Sequence, residues 1–73
     1  SHKRGEFMML GLRKIDGVDK QEFYKRFGCI PEDIWGDAID KFVKTGFMIN
    51  SDNFCSLTEK GLDVANSIMC EFL

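Results

Sequence analysis

The sequence predicts a mainly α-helical domain with a small β-hairpin. Three observations predict it. Apolar residues recur at helical spacing in four segments. Two short runs, Phe47-Met48-Ile49-Asn50 and Phe54-Cys55-Ser56-Leu57, flank the turn-forming Ser51-Asp52-Asn53. The order is helix, helix, helix, hairpin, helix, which is winged-helix-like: three helices, a two-stranded wing and a C-terminal helix. The 73 residues suffice for one domain, and 44% hydrophobic content with seven Phe supplies a packed core.

The first helix is expected over about residues 6–15. At about 100° per residue, Phe7, Met8, Met9, Leu12 and Ile15 spread over a band of roughly 200°, with Leu10 beyond it. Glu6, Arg13 and Lys14 share the remainder. A band this wide predicts two partners, the domain's own core and something else, and Gly11 within it would let another backbone approach closely. Asp16-Gly17 ends the helix. Asp19 then reads as an N-cap with Glu22 three residues on, and Val18 and Phe23 as a hydrophobic staple. This second helix buries Phe23 and Phe27 and stops at Gly28.

Pro31 opens the third helix, which runs to Gly46. Ile34, Trp35, Ala38, Ile39, Phe42 and Val43 cover one side, and Asp37, Asp40, Lys41 and Lys44 the other. After the hairpin Thr58 caps the last helix, with Leu57 and Leu62 as a second staple. Leu62, Ala65, Ile68, Met69, Phe72 and Leu73 form its apolar face. Residues 1–5 read as a tail or cloning remnant, including the only histidine, His2, and residues 6–73 as the domain.

Charge and motif content narrow the function. The net charge is −2 and the pI about 5.2, without the basic excess of a general polyanion binder. On the third helix Asp37–Lys41 and Asp40–Lys44 are i,i+4 pairs that neutralise the face a DNA reader would use. That face carries no Arg, Asn or Gln for base contacts, and the wing tip carries no cation. The sequence therefore predicts no nucleic-acid partner.

Nor is a catalytic set present: there is no Ser/His/Asp arrangement, no glycine-rich phosphate loop and no carboxylate–histidine cluster. The adjacent Glu32 and Asp33 open a helix, where the dipole favours them. Cys29, Cys55 and Cys70 lack metal-site spacing and read as small buried hydrophobes in a reducing, cytoplasmic setting. No apolar run approaches the roughly 18 residues of a membrane span. The predicted catalytic, cofactor-binding and metal-binding residues within the chain are accordingly none.

One segment carries more information. "EFMMLGLRKIDGVD", residues 6–19, resembles the opening of the C-terminal domain of the oxygen-independent coproporphyrinogen III oxidase-like radical SAM proteins. Their Glu-aromatic-hydrophobic-Met/Leu-x-Leu-Arg pattern is followed by Phe-x-x-x-Phe-Gly, matched by Phe23, Phe27 and Gly28. A hydrophobic-flanked glycine before the hairpin is matched at Gly46-Phe47-Met48, and Leu-Thr-x-Lys-Gly at Leu57, Thr58, Lys60 and Gly61. Asn66 and the Phe72-Leu73 end fit as well. The Gly-Leu-Arg form is more similar to the branch associated with haem trafficking than to the branch that decarboxylates coproporphyrinogen.

The resemblance implies a non-catalytic cap domain that packs on a radical SAM barrel of the same protein and helps shape its pocket. It implies a [4Fe–4S] cluster and S-adenosylmethionine in the parent protein, outside these residues, and a porphyrin or haem as its ligand. Met8, Met9, Arg13 and Trp35 are the expected interdomain or pocket contacts. Arg13 reads either as a bidentate partner for a carboxylate of the barrel or a propionate, or as a solvated helix charge. Trp35 reads either as a ligand contact or as core. The alternative for the whole chain is a stand-alone winged-helix interaction or DNA-binding transcription module.

Overall fold

The computed structural model describes residues 2–72, and side chains from residue 3. The terminal Ser1 and Leu73, assigned above to the tail and to the last apolar face, lie outside them. The elements are α1 (His2–Leu12), β1 (Val18–Asp19), α2 (Lys20–Phe27), α3 (Pro31–Lys44), β2 (Met48–Asn50), β3 (Phe54–Leu57), α4 (Glu59–Asp63), α5 (Ala65–Met69) and a closing 3-10 turn (Cys70–Phe72). The molecule is mainly helical with one small antiparallel sheet, as predicted.

The sheet has three strands rather than two. In the order β1-β3-β2, β3 pairs with β2 in the expected hairpin and with the two-residue β1 on its other edge. Val18 lies opposite Cys55, and Met48 opposite Leu57. β1 is too short to show an alternating pattern, so only the packed chain reveals it. Gly17 makes the pairing possible: its φ is 81°, and a Cβ there would sit 2.2 Å from the Cys55 carbonyl oxygen.

Met8, Leu12, Phe23, Ile39, Phe42, Met48, Cys55, Ile68, Met69 and Phe72 are buried in the core, which draws on every layer. Trp35 stacks edge-on against Phe23 at 6.0 Å and Phe72 at 5.3 Å, at a kink in α3 where its own φ of −121° and ψ of 28° leave the helical region. Phe7 meets both Phe23 and Phe27, so α1 and α2 share an aromatic seam.

The predicted caps are present. Asp19 Oδ1 accepts from the amides of Gln21 at 2.9 Å and Glu22 at 3.4 Å, although Glu22 returns no bond among the described residues. Gly28, at φ 74°, donates to the Tyr24 carbonyl and ends α2. At the start of α3, where no side-chain cap was predicted, Asp33 Oδ2 accepts from the Ile30 amide at 3.1 Å. Thr58 Oγ1 accepts from the Gly61 amide at 3.1 Å and donates to the Gly46 carbonyl at 2.7 Å.

Several boundaries and burials differ from expectation. The first helix begins at His2 and ends at Leu12 rather than near residue 15, so Ile15 lies in the following turn, 100% exposed. The last helix breaks at Val64 into α4 and α5. Leu62 is 50% exposed and forms no buried staple with Leu57. Gly61 takes the inward position there, because a Cβ on this residue would lie 2.1 Å from the Phe47 carbonyl oxygen. Ile34 and Val43 lie at the exposed edges of the α3 apolar face. Cys70, expected to be buried, is exposed, because it starts the surface 3-10 turn.

Candidate interdomain surface

α1 has its core stripe at Met8 and Leu12, flanked by half-buried Phe7 and Met9. The broad band is thus mostly consumed by the domain's own core. Gly11 belongs to the same economy: a Cβ there would lie 2.6 Å from Val18 Cγ2, so the close approach it permits is that of β1 within the domain. The apolar residue α1 leaves to solvent is Leu10, 69% exposed, on the opposite side of the helix from Met8.

Of the four anticipated contact residues, Met8 is fully buried and Trp35 is built into the aromatic core, half-buried. Met9 is half-buried and Arg13 is exposed just past the end of α1. Arg13 is not simply solvated. One of its guanidinium nitrogens donates to Asn66 Oδ1 at 3.4 Å, tying the end of α1 to α5. Beside that bond lies a shallow hollow of about 630 Å³ whose lining includes Arg13, Leu62, Asp63, Val64 and Asn66. Leu62 and Val64 are exposed there at the α4–α5 break. The fold therefore brings together Arg13 and Asn66, 53 positions apart, with two exposed apolar side chains. One bond leaves the guanidinium with donors to spare for a carboxylate.

The charges on α3 are spent inside the domain. Asp40 pairs with Lys44 at 3.0 Å as expected, but Lys41 pairs with Glu71 at 2.9 Å rather than with Asp37. The 3-10 turn brings Glu71 across to it, which helical spacing cannot foretell. Lys60 donates to the Thr45 carbonyl at 3.1 Å and lies 4.6 Å over the Phe47 ring. With Thr58 on Gly46 and Gly61 against Phe47, the Leu-Thr-Glu-Lys-Gly stretch clasps the loop after α3.

Sequence reasoning missed Lys20. Its side chain is buried, and Nζ donates to Glu32 Oε2 of α3 and to the Ser51 carbonyl of the hairpin turn. A cation at a helix N-terminus opposes the dipole, and that was the available signal of a specific partner. Burial alone would raise the Glu32 carboxyl, but the hydrogen bonds from Lys20, its own backbone amide and Asn50, with the Lys20 charge, hold it below the usual carboxylate range.

No group of three or more His, Cys, Asp or Glu side chains suited to a metal ion occurs among the described residues. The three cysteines are spread over the loop after α2, the buried strand β3 and the closing turn. Burial pushes the Cys55 thiol up to about 12, against a smaller opposing effect of Lys20. Among the described residues no helix is long and apolar enough to cross a membrane.

The profile of the HemN C-terminal domain matches residues 2–64, from the start of α1 to the break at Val64. The chain belongs to the HemN C-terminal domain family. Two curated relatives align with it over 68 residues, 93% of the chain: "Heme chaperone HemW" of Lactococcus lactis subsp. lactis (strain IL1403) at 32% identity, and "Heme chaperone HemW" of Bacillus subtilis (strain 168) at 31%. The chain spans only 18% of the length of either. No solved structure matches it significantly. The HemN C-terminal domain match takes in Arg13 and the Gly-Leu-Arg segment, while Asn66 falls just beyond it.

Proposed function

We propose that this HemN C-terminal domain is a winged-helix-like, non-catalytic cap of a haem-trafficking member of the radical SAM family, packing on the barrel of the same protein and helping to shape its pocket. The observation that carries the reading is the alignment of 93% of the chain with two heme chaperones of which it spans 18%. The setting is cytoplasmic.

Within this reading Arg13, held toward Asn66 beside Leu62 and Val64, offers its remaining donors to a carboxylate of the barrel or to a porphyrin propionate. Met9 and the exposed part of Trp35 are further contacts, and Met8 supports them from the core. The parent's [4Fe–4S] cluster and S-adenosylmethionine belong elsewhere in that protein. Cys29, Cys55 and Cys70 sit in separate elements and do not fit a cluster, so no chemistry is assigned to them. The occupied cations of α3 and the motif lysine Lys60 speak against the alternative of a DNA-reading module.

Arg13→Ala in the full-length protein is expected to lower haem loading or activity several-fold while the isolated domain keeps its melting temperature. Unchanged loading would remove Arg13 from the contact set. Haem added to the 73-residue chain tests direct ligand contact: a shifted Soret band supports a pocket role, and a silent titration confines the domain to packing.

A further inference from the structure

The contacts of Lys20 join α2, α3 and the hairpin at the edge of the core in which the same elements meet. Its side chain is 7% exposed, and its Nζ reaches Glu32 at the start of α3 and the Ser51 carbonyl in the hairpin turn. Its backbone amide donates to the Asn53 carbonyl at 2.9 Å, on the far side of the same turn. Asn50 Nδ2 adds a 3.4 Å bond to Glu32 Oε2. The turn's internal bonds, Ser51 amide to Phe54 carbonyl and Phe54 amide to Ser51 Oγ, fix its shape but not its position on the helices. Its position is set by the β1–β3 pairing, with Asp19 opposite Phe54, and by the bonds of Lys20 and Glu32. Glu32 Oε1 is buried without a hydrogen-bond partner among the described residues, so the pair is tight but incompletely satisfied.

We infer that Lys20 and Glu32 form an ionisation-dependent latch that holds the hairpin tip, residues 51–53, against the starts of α2 and α3. When Glu32 takes a proton the pair loses its charge attraction, the tip is left to the Lys20 bonds to Ser51 and Asn53 and the short β1 pairing, and it opens more often while the aromatic core stays closed. The groups facing the pair are few. Lys20 comes from α2, Glu32 from α3, the Asn50 amide and Ser51 carbonyl from the hairpin, and the neutral Cys55 thiol from β3, while Lys25 of α2 and Asp52 of the turn line the hollow beside Lys20. No other charged side chain bonds to either partner among the described residues. The sign follows from Glu32 being lowered in the fold: the latch is fully made above the unfolded carboxyl value of 4.5 and is lost as pH falls through the lower folded value.

The test is amide exchange of the 73-residue chain followed residue by residue, with protection corrected for intrinsic rates, from about pH 7 to about pH 3. The Lys20 amide, which donates to the Asn53 carbonyl of the turn, is expected to lose protection as pH falls below 4.5, ahead of the amides of Phe23, Ile39 and Ile68. In E32Q the Lys20 amide is expected to exchange faster already at neutral pH and to show no acid step. Loss of tip and core protection at one common midpoint would overturn the latch, as would an E32Q tip protected like the parent's. The titration of the unaltered chain needs no variant, so a poorly folding E32Q leaves the inference open to refutation.

Discussion

At the scale of single residues, the glycines and the cysteines respond to surroundings that their sequence neighbours do not reveal. Gly61 belongs to a sequence motif, and its role is steric: a methyl group would collide with the Phe47 carbonyl. Gly61→Ala is therefore expected to destabilise by about 3 kcal/mol, read as a denaturant midpoint shift at constant slope. Gly36, with nothing near its Cβ position, should accept Ala within a few tenths of a kcal/mol of neutral or better. The cysteines should separate by reactivity. Exposed Cys70 is expected to react with a maleimide or iodoacetamide under native conditions, and Cys55, buried and with its thiol pushed up to about 12, only on unfolding. Mass spectrometry of the labelled chain would show a single early modification if Cys29, half-buried, is also slow. Because the unfolded thiol ionises near 9.0 and the folded one does not, Cys55 also removes stability as pH rises above that value.

At the scale of elements, end chemistry explains more than length does. Asp19 satisfies two amides at the start of α2, and Asp19→Ala should cost about 1 kcal/mol, or roughly 4–8 °C in melting temperature for a domain of this size. Asp19→Asn should recover most of it. A cost near zero would mean that the β1 pairing alone fixes the start of the helix. α4 and α5 show the opposite case, where a continuous apolar periodicity is cut at Val64. The break leaves Leu62 and Val64 outside the core, and that exposure gives the Arg13 hollow its apolar wall.

At the scale of the molecule, two long-range ties set the candidate surfaces. Arg13 to Asn66 closes α1 onto α5, and Lys20 to Glu32 and Ser51 closes α2 and α3 onto the hairpin. The first surrounds the proposed interdomain contact. The second controls the tip and should be the first part of the domain to respond to acid. Exposed single charges contribute little by comparison, so the Asp40–Lys44 pair should be nearly silent on substitution.

The sequence by itself determined the helical class, the hairpin, the caps at Asp19, Gly28 and Thr58, and the family, because these depend on residues within a few positions of one another. It also marked Arg13 and Asn66 separately as matches to one pattern, without showing that they meet. Their bond, the third strand, the outward turn of Leu62, the Lys41–Glu71 pair and the burial of Lys20 were decided only by the tertiary structure. Each depends on which backbone arrives beside a residue from far along the chain. Local periodicity carries no record of that, since a lysine after an N-cap reads as surface until a hairpin turn closes over it.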